Sequence, residues 1–147
     1  MGNTRYTVNE KNIYDIDFEL LYISKSKYGD DWHSTSHSHP FTEIFFITHG
    51  HGFMDIDDVI VSIKEGDLII INPNCSHTEK STNNSFDQLE YIVFGINNLA
   101  LANDNISCLG IEVETPIYYK IMNFNNDKVE ILNYLNNLVR EVENKDS

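Results

Sequence analysis

Two histidines and a glutamate are closely spaced in residues 37–43, which read His-Ser-His-Pro-Phe-Thr-Glu. In an extended strand alternate side chains share a face, so His37, His39 and Glu43 can point in one direction. A further imidazole, that of His77, lies later in the chain and can join them. Imidazole nitrogens and carboxylate oxygens are donors that bind divalent transition metals. The spacing therefore predicts a polar site built from these four side chains.

The same four side chains allow two interpretations. They can form a hydrogen-bonded cluster inside a binding cavity, and we then expect that no cofactor is required. Alternatively they hold a divalent metal ion, and zinc, nickel, iron and manganese all suit the donor set. The residues alone leave both interpretations open, so His37, His39, Glu43 and His77 are candidate metal ligands as well as candidate ligand-binding residues.

The segments around these residues have the pattern of short β-strands. Runs rich in aromatic and β-branched residues alternate with clusters of Gly, Asp, Asn and Pro. Many short strands at roughly even spacing predict a sandwich or a closed barrel. The predicted strands cover residues 18–23, 41–48, 53–56, 59–63, 68–71, 89–96, 111–113 and 117–121, with a loop over residues 97–110.

The last part of the chain changes to a helical period. Ile131, Leu135, Leu138 and Val142 recur at i, i+4, i+7 and i+11, which is one face of an amphipathic helix. We predict a C-terminal helix within residues 125–147. Its apolar stripe can pack on the barrel of the same chain or pair with a second copy.

Charge and composition exclude several classes of protein. The chain of 147 residues has the size of one domain and a formal charge of −13, so its surface should repel a nucleic-acid backbone. The cysteines Cys75 and Cys108 do not make a disulfide framework and are expected to be free thiols. Neither a secretory signal nor an apolar run of membrane-spanning length is evident. We therefore expect a cytoplasmic protein without membrane contact.

Two spaced motifs carry a resemblance to the cupin superfamily. Residues 37–50 read H-x-H-x3-E-x6-G, which resembles the first cupin motif, and Gly66-x6-Pro73-x3-His77 resembles the second. The second is modified, because His77 follows Pro73 by four residues rather than five and Cys75 stands where a glycine is usual. Over roughly residues 18–96 the chain is similar to the N-terminal effector-binding and dimerisation domain of AraC-type transcription regulators.

This resemblance implies a mainly β fold, namely a cupin-like double-stranded β-helix (jelly-roll) barrel with a C-terminal α-helix. The implied parts are an N-terminal arm at residues 1–16, an effector-binding barrel at 17–124 and a dimerising helix at 125–147. A small polar effector, with a sugar as the commonest in the family, would bind in the lumen of a homodimer. It would control a separate helix-turn-helix DNA-binding domain that this chain does not contain.

The resemblance also implies which residues line the lumen and what the protein is not. The implied ligand-binding residues are Trp32, His37, His39, Phe41, Glu43, Phe45 and His77. Tyr22 and Tyr28 are further aromatic candidates, although filling the barrel is the simpler role for any one aromatic residue. A sensory domain is not an enzyme. The alternative is a stand-alone metal-dependent cupin enzyme, such as a dioxygenase or an isomerase, that uses the four candidate metal ligands.

Overall fold

A computed structural model describes residues 18–27, 35–82, 86–102, 105–108 and 119–145. Within this part of the chain there are ten strands and one α-helix. The predicted N-terminal arm, Trp32, Tyr28 and the predicted strand at 111–113 lie outside the described residues. The strands are β1 (Glu19–Lys27), β2 (Thr42–His49), β3 (His51–Ile56), β4 (Val59–Lys64), β5 (Asp67–Ile71), β6 (His77–Ser81), β7 (Glu90–Asn97), β8 (Leu99–Ala102), β9 (Asn105–Cys108) and β10 (Tyr119–Asn123), and helix α1 (Lys128–Lys145) follows a 3-10 turn at Asn125–Asp127.

Two antiparallel sheets form the body of the domain. The larger has the strand order β1-β7-β2-β5-β10, the smaller has the order β4-β3-β6, and β8 and β9 make a separate hairpin. Strands that are distant in sequence pair within each sheet, which is the arrangement of a jelly roll. The predicted mainly β jelly-roll barrel with a C-terminal helix is thereby confirmed.

Alternation along the strands decides which side chains fill the barrel. On β6, residues 77, 79 and 81 are buried, and on β3 residues 52, 54 and 56 are buried. Large apolar side chains from both sheets meet in one core. Its members include Phe45, Ile47, Met54, Ile56, Ile63, Ile69, Ile71, Leu89, Tyr91 and Val93. The second face of β2 is also covered, since Ile44 packs with Ile70 and Leu99 in a smaller cluster.

Three parts of the described chain differ from the sequence prediction. Residues 97–110 contain the β8–β9 hairpin, where we predicted a loop. The prediction was wrong because alanine and asparagine are uncommon in strands and hide the strand pattern. Strand β6 was not predicted, since its sequence His-Thr-Glu-Lys-Ser contains no apolar residue. The last described strand, Tyr119–Asn123, ends two residues beyond the predicted end at 121, whereas residues 117 and 118 lie outside the described residues. The α-helix begins at Lys128 after the 3-10 turn.

Helix α1 packs against β1 of the same chain. The four residues of its predicted stripe are all half-buried, and Val139 beside them is buried. The stripe is therefore partly covered by its own barrel. Val129 and Tyr134 stay exposed on the same helix. No helix in the described part of the chain is long and apolar enough to cross a membrane.

Candidate functional site

The four residues singled out by their spacing meet inside one end of the barrel. The distance from Oε1 of Glu43 to the Nε2 atom is 2.6 Å for His77, 3.3 Å for His39 and 3.9 Å for His37. The donor atoms of all four residues lie within 4.8 Å of one another. Glu43 and His77 are buried, whereas His37 and His39 are half-buried. The structure therefore brings together every predicted metal ligand.

Backbone hydrogen bonds to the second motif position His37 and His39. Alternation along a regular strand, which we predicted, does not. His37 and His77 form an isolated bridge in which each N–H donates to the carbonyl of the other, at 3.0 and 2.9 Å. The N–H of Asn74 donates to the carbonyl of His39 at 2.6 Å. Pro40 has no N–H to donate and lies just before β2. The first motif is thus fastened to the second before the regular strand begins.

Hydrogen bonds to the backbone fix the tautomers of two imidazoles. Nδ1 of His37 lies 2.8 Å from the carbonyl of Thr35, and Nδ1 of His77 lies 2.9 Å from the carbonyl of Cys75. A carbonyl only accepts, so each Nδ1 carries a proton and each neutral ring turns the lone pair of Nε2 towards Glu43.

This arrangement leaves an acceptor facing an acceptor. Nε2 of a neutral His77 and Oε1 of Glu43 both carry lone pairs at a separation of 2.6 Å. At this distance the two atoms share a proton, which makes His77 an imidazolium. A metal ion held at about 2.0–2.2 Å from each atom would replace that proton and would need the two atoms further apart. Three imidazole nitrogens and one carboxylate oxygen, with Nδ1–H groups bonded to carbonyls, fit a divalent metal well.

Aromatic side chains surround the polar cluster. Tyr22 on β1 donates its hydroxyl proton to Oε2 of Glu43. Phe41 stacks on His39 with ring centroids 4.8 Å apart and packs edge-on against Tyr22 at 5.7 Å. A Cβ atom at Gly95 would come within 2.6 Å of the Tyr22 ring and 2.9 Å of the Phe41 ring. The glycine therefore provides the space that both rings occupy.

Phe45 lies on the core side of the cluster. It is buried, and its ring centroid is 6.0 Å from that of His77 and 5.4 Å from that of Tyr91. Phe45 thus lies in the hydrophobic core next to the cluster, and its predicted contact with a ligand stays a prediction. Trp32, the remaining predicted ligand contact, lies outside the described residues.

The electrostatics of the cluster favour a charged Glu43–His77 pair. Burial by itself would raise the pKa of Glu43, but hydrogen bonds from His77 and Tyr22 outweigh it and hold this pKa below its usual value. Burial by itself would lower the pKa of His77, but the hydrogen bonds to Glu43 and to the Cys75 carbonyl raise it. For His39, desolvation dominates and lowers the pKa. The imidazole of His39 is therefore the more readily neutral of the two.

Polar residues that the sequence reasoning missed continue along the same wall. Glu79 follows His77 on β6, is buried, and accepts a hydrogen bond from the hydroxyl of Tyr91 at 2.7 Å. Ser81 is buried as well and accepts a bond from the N–H of Leu89 at 2.8 Å. The parity of residues 77, 79 and 81 is the signal that could have found them, once His77 had been placed inside.

Comparison of the sequence with family models decides the classification. The model of the AraC-like ligand binding domain matches residues 21–132, which is most of the chain. The chain belongs to the AraC-like ligand binding domain family. The resemblance to AraC-type regulators is thereby confirmed, and with it the coarse role of an effector-sensing domain. A comparison with curated proteins finds no match.

Several solved structures also match this chain at low identity. A cupin protein from Bacteroides fragilis has 18% identity and a TM-score of 0.41, covering 80% of this chain and 98% of that one. ToxT from Vibrio cholerae, solved with an unsaturated fatty acid bound, has 9% identity and a TM-score of 0.43 over 78% of this chain and 44% of its own. KdgF from Halomonas sp. has 14% identity and a TM-score of 0.39 over 63% and 94%. At these values the likenesses carry no argument about function.

Proposed function

We propose that this AraC-like ligand binding domain senses a small polar effector in its barrel and thereby controls a separate helix-turn-helix DNA-binding domain of an AraC-type transcription regulator. The observation that carries the proposal is the convergence of His37, His39, Glu43 and His77 inside a domain of this family. Their nitrogen and oxygen atoms are concentrated in a partly buried site that aromatic rings border. Such a site binds a small molecule that has both polar groups and an apolar face, as a sugar has.

A ladder of strand pairs links this site to the C-terminal helix. Ile71 on β5 pairs with Glu43 on one side and with Tyr119 of β10 on the other. β10 leads through the 3-10 turn at Asn125–Asp127 directly into α1. An effector that displaces Glu43 therefore acts on a strand only two positions away from the one that carries the helix.

Side-chain contacts fasten the start of the helix to the β4–β5 turn. Asn123 donates to Oδ1 of Asp67 at 2.7 Å, and Lys128 pairs with Glu65. The N–H of Phe124 donates to the carbonyl of Gly66 at 2.8 Å. An effector with different affinities for two arrangements of this junction would shift the position of α1. In a homodimer joined through α1, that shift repositions the two DNA-binding domains.

A divalent metal is compatible with the sensory role. His37, His39 and His77 would bind it through Nε2 and Glu43 through Oε1, with zinc, nickel, iron or manganese as candidates. The ion would supply a Lewis-acidic position for an oxygen atom of the effector. The chain's own residues keep two of the imidazoles in the required tautomer through the carbonyls of Thr35 and Cys75.

The proposal is tested at two levels. A thermal-shift screen of sugars and other small polar metabolites should raise the unfolding temperature for one compound class, and Glu43→Gln should abolish the rise. Gel-shift assays on a longer chain that includes the DNA-binding domain should show specific binding that changes with the same compound. If that longer chain bound no specific DNA, the regulatory role would be wrong.

A metal-dependent cupin enzyme is the second candidate, and the three histidines around one carboxylate are the observation that favours it. Such an enzyme would hold its metal at full occupancy and leave positions open for substrate. Metal analysis of protein purified without nickel affinity, combined with oxygen-consumption assays on the compounds that bind, separates the candidates. Turnover that requires the metal and disappears in His39→Ala would favour the enzyme.

A further inference from the structure

A second carboxylate lies inside the barrel beyond the histidine cluster. Glu79 is only 5% exposed, and its Oε1 accepts the hydroxyl proton of Tyr91. The other oxygen, Oε2, is buried and has no hydrogen-bond donor among the described residues. Buried oxygens in native proteins are nearly always paired, so an unpaired one points to a missing water, ion or ligand.

Glu79 lies on the same wall as the histidine cluster but deeper. His77 and Glu79 are two residues apart on β6 and both face inwards, which places their Cα atoms about 7 Å apart. The exposed fraction of the side chain falls from 36% at His37 and 32% at His39 to 2% at His77. Glu79 is therefore the next inward-facing polar side chain on β6 beyond His77.

Among the described residues, no positively charged side chain donates a hydrogen bond to Glu79, although the charge of the nearby His77 interacts with it. His77 directs one ring nitrogen to the Cys75 carbonyl and the other to Glu43, so neither is directed to Glu79. The hydroxyl of Tyr91 is neutral, and none of the lysine or arginine side chains that the structure describes is buried. Glu43, in contrast, has three imidazoles around it. The group that best completes Glu79 is a donor with a positive charge, because a buried carboxylate without one is costly.

We propose that Glu79, held in place by the hydroxyl of Tyr91, binds the amino group of an amine-bearing effector. The ammonium group donates to Oε2 of Glu79, and the remainder of the molecule extends towards the histidine cluster. This inference rests on the proposed sensory function and narrows its effector from polar metabolites in general to small primary amines. Amino sugars and short diamines are compounds of that class.

Matched pairs of probes that differ only in an amine test the inference. The first pair is D-glucosamine and D-glucose, and the second is 1,4-diaminobutane and 1,4-butanediol. Dissociation constants are measured by ligand-observed NMR at fixed salt for the wild type, Glu79→Gln and the control Glu141→Gln. Glu141 is exposed on α1, so its variant makes the same change of charge far from the lumen.

In the wild type, at least one amine should bind about tenfold to a hundredfold more tightly than its neutral partner, as expected for a hydrogen bond between charged groups. Glu79→Gln should remove this preference, since glutamine keeps an oxygen for Tyr91 but lacks the charge. Glu141→Gln should retain it. The control matters because a chain with a charge of −13 attracts amines to its surface as well.

Three results would overturn the inference. The preference could survive in Glu79→Gln, or the neutral members could bind the wild type as tightly as the amines. In both cases a ligand is still sensed, and the proposed function stands with a water molecule at Oε2. If none of the four probes binds, the inference also fails, and the proposed function is then judged separately by the metabolite screen and the DNA-binding assays.

Amide chemical shifts provide a test that needs no variant at Glu79. In the wild type, 1,4-diaminobutane should shift the amide signals of Thr78, Glu79 and Tyr91, whereas 1,4-butanediol should not. Tyr91→Phe removes a neutral donor and leaves the carboxylate, so this variant should still prefer the amine. Shifts confined to exposed acidic residues would contradict the inference.

Discussion

Both oxygens of Glu43 are in use, and this makes it the residue on which the site depends. Oε1 faces the imidazoles, and Oε2 accepts the proton of Tyr22. The short distance between Oε1 and Nε2 of His77 requires a proton between them, and a metal ion bound by both atoms would have to displace that proton. Protons and metal ions therefore compete for one place. Metal affinity should fall at acid pH, where the imidazoles become protonated.

Zinc should stabilise the protein through this cluster. At a free concentration of 100 times its dissociation constant, a ligand that binds only the folded state adds about 2.7 kcal/mol to the free energy of unfolding. We expect His39→Ala to lose most of this gain, because it removes one of the four donor residues. His51→Ala should respond like the wild type, since His51 is an exposed histidine outside the cluster. Thermal unfolding with zinc and with EDTA makes the comparison, and an equal response of both variants would contradict the assignment of the site.

Tyr91 should make the protein sensitive to alkaline pH. Burial, then the nearby charge of Glu79 and the hydrogen bond to it, raise the pKa of Tyr91 above its ordinary value of 10.0. Above pH 10 the unfolded chain releases this proton and the folded chain keeps it, so stability that is present below pH 10 is lost as the pH rises. The loss is about 1.4 kcal/mol for each pH unit.

The variant Tyr91→Phe tests this prediction. Near pH 7 it should be less stable than the wild type by about 1 kcal/mol, because Glu79 loses a hydrogen-bond donor. Above pH 10 the difference should shrink. Tyr134→Phe, which changes an exposed hydroxyl, should follow the wild type at every pH. Urea unfolding between pH 7 and pH 11 measures both, and a difference that stays constant with pH would show that Tyr91 does not titrate as expected.

At the scale of elements, the sequence predicted those strands whose buried residues are apolar. β5 is buried at most positions and reads Asp-Leu-Ile-Ile-Ile, so its composition reveals it. The buried side chains of β6 are the polar ones of His77, Glu79 and Ser81, so a search for apolar residues does not find this strand. The polar lining that hides β6 from sequence reasoning is also what makes the barrel a candidate binding site. The cluster itself was predictable from motif spacing, but its depth was not, and Glu79 could be found only by its parity once His77 had been placed inside the barrel.

Gly95 on β7 should control the shape of the site without contacting a ligand. A methyl group there would lie within 3 Å of the rings of Tyr22 and Phe41. Gly95→Ala should displace both rings, weaken the hydrogen bond from Tyr22 to Glu43 and lower ligand or zinc affinity several-fold. Ser62→Ala, which places an alanine at an exposed position of β4 in the other sheet, serves as the control. Isothermal titration provides the affinities, and unchanged binding in Gly95→Ala would mean that the rings move aside without cost.

The junction between β10 and α1 should transmit the effector signal. Asn123 donates to Asp67 and also accepts from the N–H of Asn125, so Asn123→Ala removes two contacts at the start of the helix. We expect amide exchange to become faster in the first turn of α1, while effector affinity changes little. Asn137→Ala, on the exposed side of the helix, should leave exchange in that turn unchanged. Exchange measured by mass spectrometry tests the prediction, and equal rates in both variants would place the coupling elsewhere.

At the scale of the whole molecule, the net charge disfavours a nucleic-acid partner, whereas the exposed apolar surface favours a protein partner. The charge of −13 disfavours direct contact with DNA, so a regulator containing this domain must bind DNA through other residues. Apolar surface nevertheless stays exposed on both β1 and α1, at Leu20, Leu21, Val129 and Tyr134. These two elements pack against each other. Exposed apolar residues on adjoining elements are typical of an interface between chains.

A substitution at Tyr134 tests for the homodimer without disturbing the fold of the single chain. It lies three residues after Ile131 and four before Leu138, which places it at the edge of the predicted dimerisation stripe, and it is 67% exposed. A lysine there costs the single chain little but would bury a charge in a dimer. Sedimentation of the wild type should therefore give twice the chain mass of 17.0 kDa, and Tyr134→Lys should shift it towards one chain mass. Asn133→Lys, which adds the same charge at an exposed position on the side of the helix opposite the stripe, should remain dimeric. If Tyr134→Lys sediments like the wild type, α1 does not form the interface through this edge.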